Sequence, residues 1–261
     1  MKLLKYSLFM MAPLGTLSAA VTDFTGLAAD TPLTNISGWT LSEANSSSTP
    51  IAFVGLVSGN PTGALGGDLG DILNPSNTAK LTLSSSFAAP AVGVSLDVLI
   101  TDSSNSLPTR DSFGIGISSG SGASIVQLSF LPVAQSLTPS APGDIAQWTL
   151  SYTIAGSSTV LTNYIISESM MNTVNVMFNG GDVQIMMSNN FDTFSVGGSV
   201  AGFDSAVGGV GNVAFNWTKG GGENGDNTMY FDNINVQAVP EPSALLLTGC
   251  ASLLLLKRRR K

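Results

Sequence analysis

The chain has 261 residues, with 10 Lys and Arg against 17 Asp and Glu, no His and 1 Cys. The lack of His excludes Ser-His-Asp and Cys-His catalysis and His-ligated zinc or haem, and the single Cys excludes an internal disulfide. A net charge of −7 excludes the cationic surface on which nucleic acid binding depends, so no nucleic-acid partner is expected.

Residues 1–20 read as a secretory signal. Lys2 and Lys5 make a basic start, an apolar run follows, and Ser18, Ala19 and Ala20 supply the small residues for cleavage after Ala20. The body is then 21–238. Within it only Lys80, Arg110 and Lys219 are basic, against every acidic residue of the chain except Glu241. Such a surface is soluble, self-repelling and better suited to cations than to polyanions.

The body shows alternation of apolar and polar residues rather than a helical period. Val94, Leu96 and Val98 alternate with Ser95 and Asp97; Phe113, Ile115 and Ile117 with glycines; Val126, Leu128 and Phe130 with Gln127 and Ser129. Further on, Trp148, Leu150, Tyr152 and Ile154 alternate with Thr149, Ser151 and Thr153. Val174, Val176 and Phe178 form another such set, as do Val213, Phe215 and Trp217. This period marks strands with one face in a core and one face out. Connectors rich in Gly, Ser, Asn and Asp separate them, and Asn179, Gly180, Gly181 and Asp182 read as a hairpin. Many short strands without helices predict an all-β fold: a single antiparallel β-sandwich of the jelly-roll kind, with two smaller immunoglobulin-like units as the alternative. The stretch 132–142, rich in Pro and Ser, reads as a long surface loop.

Three kinds of chemistry bear on this body. Glycoside hydrolysis needs two carboxyls on one face. The only Glu of the body are Glu43, Glu168 and Glu223, far apart in sequence, so no catalytic residue is assigned and no enzyme is expected. Calcium takes oxygen ligands from Asp, Asn and carbonyls. Asp226, Asn227 and Asp232, with Asn224 beside them, form one set, and Asp102, Asn105 and Asp111 a second. Such residues also hold turns through their own backbone. That reading is preferred, with no metal or other cofactor expected and calcium as the alternative. Sugar binding would use Trp39, Trp148, Trp217 or Tyr164 as stacking platforms. Trp148 and Trp217 fall in phase with core positions, which leaves Trp39, after Ser37 and Gly38, as the candidate.

The chain closes with Val239, Pro240, Glu241 and Pro242, then an uncharged Leu-rich stretch at 243–256, then Lys257, Arg258, Arg259, Arg260 and Lys261. The stretch would be ~21 Å long as a helix at ~1.5 Å per residue, short against a bilayer core of about 30 Å. The terminal cations would hold the tail's end in the cytoplasm and leave the body outside.

This order of motif, short transmembrane helix and basic end resembles the PEP-CTERM sorting signal of Gram-negative bacteria, over 239–261. The resemblance implies transient anchoring in the inner membrane, processing by an exosortase-type membrane enzyme, and delivery to a cell surface or a matrix of extracellular polysaccharide. A permanent membrane anchor is the alternative. The 24–39 segment, the run Arg110, Asp111, Ser112, Phe113, Gly114, Ile115, and the closing run from Tyr230 through Asp232 to Val236 resemble the concanavalin-A-like lectin/glucanase sandwiches. Together these readings predict an exported, non-enzymatic surface or matrix protein that holds polysaccharide. A structural or adhesive surface protein without glycan preference, or a glycoside hydrolase, are the alternatives.

Overall fold

Residues 19–44, 52–66, 80–86, 91–101, 111–132, 147–167, 170–203, 209–220 and 227–238 are described in a computed structural model. They form β1 (Ala19–Thr22), a 3-10 turn (Leu33–Asn35), β2 (Trp39–Ala44), β3 (Ala52–Val57), β4 (Asn60–Gly66) and β5 (Lys80–Ser86). Then come β6 (Ala91–Thr101), β7 (Ser112–Ser119), β8 (Ser124–Pro132), β9 (Gln147–Ile154) and β10 (Ser157–Ser167). The chain ends in β11 (Asn172–Asn179), β12 (Asp182–Ser188), β13 (Thr193–Ser199), β14 (Val210–Thr218) and β15 (Thr228–Ala238).

The strands make two antiparallel sheets. One has eight strands, in the order β13-β12-β11-β6-β15-β4-β3 with β1 also against β15; the other has seven, in the order β10-β9-β8-β7-β14-β5-β2. The alternating runs of the sequence become strands of both sheets, and each puts its apolar set inward. Val94, Leu96 and Val98 of β6 are at most 2% exposed, as are Val126, Leu128 and Phe130 of β8. One continuous core joins the two faces, so the chain is a single sandwich and not two smaller units. The hairpin at Asn179–Asp182 forms as expected, with Gly180 at φ +58 supplying the left-handed turn position.

Four rings tie the two sheets together. Phe215 of β14 stacks on Phe231 of β15 at 3.8 Å, and Trp39 lies about equally far from Phe215, Phe231 and Phe24, at 6.0, 5.9 and 6.1 Å. Gly63 of β4 makes room for them: a Cβ there would collide with the rings of Phe231 and Phe24. Here the glycine serves close packing.

β1 starts at Ala19, so the expected cleavage after Ala20 falls inside a strand. Val21 and Thr22, which pair with Asn235 and Ile234 of β15, remain in the cleaved chain. Residues 1–18, with most of the expected signal, and 239–261, with the sorting motif and the expected transmembrane helix, lie outside the described residues, as does most of the 132–142 loop. Among the described residues, no helix is long and apolar enough to cross a membrane.

Candidate functional site

The inward alternation of β7, β8, β9 and β14 dictates what their other face carries. Across the middle of the seven-stranded sheet one row runs Thr40, Ser84, Ala214, Gly116, Gln127, Thr153 and Ser158. The row beside it runs Ser42, Thr82, Asn216, Gly114, Ser129, Ser151 and Val160. These side chains are hydroxyls, amides and small groups, apart from the exposed Val160 at one edge, and none is charged. A sheet face of this kind offers donors and acceptors together.

Gly114 and Gly116 form the floor at the centre. The Gln127 side chain lies across them: a Cβ on Gly114 would stand 2.9 Å from Gln127 Nε2, and one on Gly116 3.0 Å from Gln127 Oε1. Gln127 Nε2 donates to the Leu128 carbonyl at 3.2 Å. On the other side Thr82 Oγ1 donates to Asn216 Oδ1 at 2.9 Å. The result is a flat polar face over β7, where the Gln127 amide covers Gly114 and Gly116 and the Thr82–Asn216 pair lies beside it.

Asp111, expected as a possible calcium ligand with Asp102 and Asn105, has another place. It is fully buried at the start of β7. Trp217 Nε1 donates to its Oδ2 at 2.6 Å, the Gly220 N–H donates to its Oδ1 at 2.7 Å, and Trp148 Nε1 donates to its backbone carbonyl at 3.0 Å. The Asn227 side chain also bonds its carboxylate, and the charge of Lys219, itself only 4% exposed, acts on it. Burial outweighs these partners and pushes the Asp111 carboxyl up to about 6. The cluster locks the ends of β7, β9 and β14 to the start of β15, beneath the polar face.

The calcium set Asp226, Asn227 and Asp232 is taken apart by the strand period. Asn227 lies inside against Asp111, whereas Asp232, five positions on, shares the outward phase of Tyr230, between the inward Met229 and Phe231. Asp226 lies outside the described residues. No group of three or more His, Cys, Asp or Glu side chains able to hold a metal occurs among the described residues.

Trp39 is corrected as well. It is 5% exposed, within the aromatic cluster, because it opens β2 in the inward phase, and so it cannot stack on a sugar. Trp148 and Trp217 are fully buried, as their phase predicted.

No family model matches the chain, and no curated protein matches it in sequence. Among solved structures it is similar to the cellulose induced protein Cip1, at 14% identity and a TM-score of 0.48 over 84% of this chain and 97% of that one. It is also similar to the alginate lyase from Klebsiella pneumoniae, at 8% identity and a TM-score of 0.47 over 79% and 97%. A third is the Bauhinia forficata lectin in complex with GalNAc, at 10% identity and a TM-score of 0.43 over 85% and 100%.

Proposed function

We propose that this chain is an exported surface or matrix protein that binds a neutral polysaccharide along the outer face of its seven-stranded sheet, without cleaving it. The observation that carries this reading is the uncharged double row of hydroxyls and amides across the sheet, with Gln127 and Asn216 side by side over β7 and β14. A sugar polymer presents rows of hydroxyls, each both donor and acceptor. A flat field of Ser, Thr, Asn and Gln meets that pattern without paying for the desolvation of a charge.

The carboxylate beneath this face, Asp111, has both oxygens engaged by Trp217 and Gly220 inside the fold. In this reading Asp111 is a structural carboxylate, whereas glycoside hydrolysis uses two carboxyls on one face. Export by the 1–20 signal and delivery through an exosortase acting on the tail at Val239, Pro240, Glu241 and Pro242 belong to the same proposal. They rest on the order of the sequence features.

The experiment is co-sedimentation of the full chain with extracellular polysaccharide from the producing cell. Saturable binding that is lost when Asn216 is replaced by Leu supports the reading. No binding to that polysaccharide, or binding unaltered by Asn216→Leu, overturns it.

A further inference from the structure

Asp111, Lys219 and Asn227 are at most 4% exposed, and all three meet at one carboxylate. Trp217 Nε1 donates to Asp111 Oδ2 at 2.6 Å, and the Gly220 N–H donates to Oδ1 at 2.7 Å. Lys219 therefore lies between two residues that hold the same carboxylate, and its charge acts on that group from inside the fold. Asn227 comes to it from another strand, and its side-chain amide donates to the carboxylate. The backbone there is closely fitted: a Cβ on Gly66 would collide with the Asn227 carbonyl and stand 3.3 Å from Trp217 Cδ1.

The cluster sits where the chain changes sheets. Lys219 follows β14, in the seven-stranded sheet, and Asn227 precedes β15, in the eight-stranded one. A lysine at this depth is costly as a charge. It is also a nucleophile, held beside an amide and a carboxyl where little water can compete. Holding an amine, an acyl carbon and a proton carrier together is what amide exchange needs.

We propose that Lys219 and Asn227 join in an intramolecular amide cross-link, with Asp111 carrying protons between them. Lys219 Nζ gives one proton to Asp111 and attacks Asn227 Cγ. Asp111 passes that proton to Asn227 Nδ2 and takes a second from Nζ. The Nζ–Cγ bond forms, the Cγ–Nδ2 bond breaks, and ammonia leaves. The step consumes no oxidant and no cofactor. Asp111 ends as the neutral acid, so two opposite charges inside the fold are replaced by neutral groups. Its hydrogen bond from the Asn227 side chain puts it at the leaving nitrogen, and a carboxyl pushed up to about 6 both takes and gives protons near neutral pH. The bond ties the two sheets together at their crossover, in a chain whose 1 Cys provides no internal disulfide. It does not depend on sugar binding.

The test is peptide mapping of the denatured full chain by mass spectrometry. Cleavage after glutamate cuts at Glu223, between the two residues, and separates 169–223 from the peptide that begins at Asn224. These two peptides should stay joined, at a mass below their sum by one ammonia, and trypsin should not cut after Lys219. Lys219→Met keeps the apolar stem without the amine and should release the two peptides. Asp111→Asn keeps the side chain's shape without the acid and should release them too, in a folded variant. Separate peptides from the parent, or a bridge from Lys219 to Asp111 with loss of water, overturn the proposal. So does a bridge that persists in Lys219→Met or forms fully in folded Asp111→Asn. If Asp111→Asn does not fold, the parent and Lys219→Met decide.

Discussion

Asp111 meets two opposed demands. Burial favours the neutral acid, while the N–H groups of Trp217 and Gly220 and the charge of Lys219 favour the carboxylate. Replacing it with Ala leaves both N–H groups unpaired inside the fold. Urea unfolding of Asp111→Ala should show a loss of about 2–4 kcal/mol. The same group sets a pH dependence whose sign is unusual for an aspartate. Its folded value of about 6 lies above the ordinary 3.8, so between the two the folded chain keeps a proton that the unfolded chain has released. This stabilisation is complete below 3.8 and is lost as the pH rises through about 6, by about 3 kcal/mol in all. Unfolding free energies measured across this window should fall with rising pH in the parent and lack that component in Asp111→Ala. The residue's role was not legible in the sequence. Its partners Trp217 and Gly220 lie 106 and 109 positions away, and beside Asp102 and Asn105 an aspartate looks like a turn residue or a ligand.

Among the elements, those with large residues in the inward phase were readable: β6, β7, β8, β9, β11 and β14 all lie where the alternation put them. β4 was not. It reads Asn60, Pro61, Thr62, Gly63, Ala64, Leu65, Gly66, with little side chain to betray a strand. Its small residues are explained by what lies over them, since the rings of Phe24 and Phe231 fill the space above Gly63. Gly63→Ala should therefore cost about 1–3 kcal/mol through overpacking, read as a lower denaturant midpoint with an unchanged slope. Trp39 was misread for a related reason. Ser37 and Gly38 suggest an exposed turn, but Gly38, at φ +90, turns the chain so that β2 opens with its indole inside.

At the scale of the whole molecule, the acidic body and the uncharged face make a joint statement about partners. The acidic surface repels polyanions, and the two rows described on the face carry no charged side chain whose field salt could screen. Binding to a neutral polysaccharide should therefore change little when salt is added, whereas an ion-pairing interface would weaken. The alternation showed which residues of each strand face out, so the hydroxyls and amides of the face were legible one strand at a time. Which strands stand side by side was not, because β14 arrives between β7 and β5 from far along the chain. The continuous polar face is a property of that order.

The central claim concerns one face, so the most direct measurement compares two. Affinity electrophoresis of the full chain in gels containing the polysaccharide would set Gln127→Ala with Asn216→Ala, on the seven-stranded sheet, against Gln184→Ala with Met186→Ala, on the outer face of the eight-stranded sheet. The account predicts that the first pair weakens binding about tenfold or more, as the loss of direct hydrogen bonds would, and that the second leaves it unchanged. Equal retention by both pairs, or loss confined to the second, would contradict it.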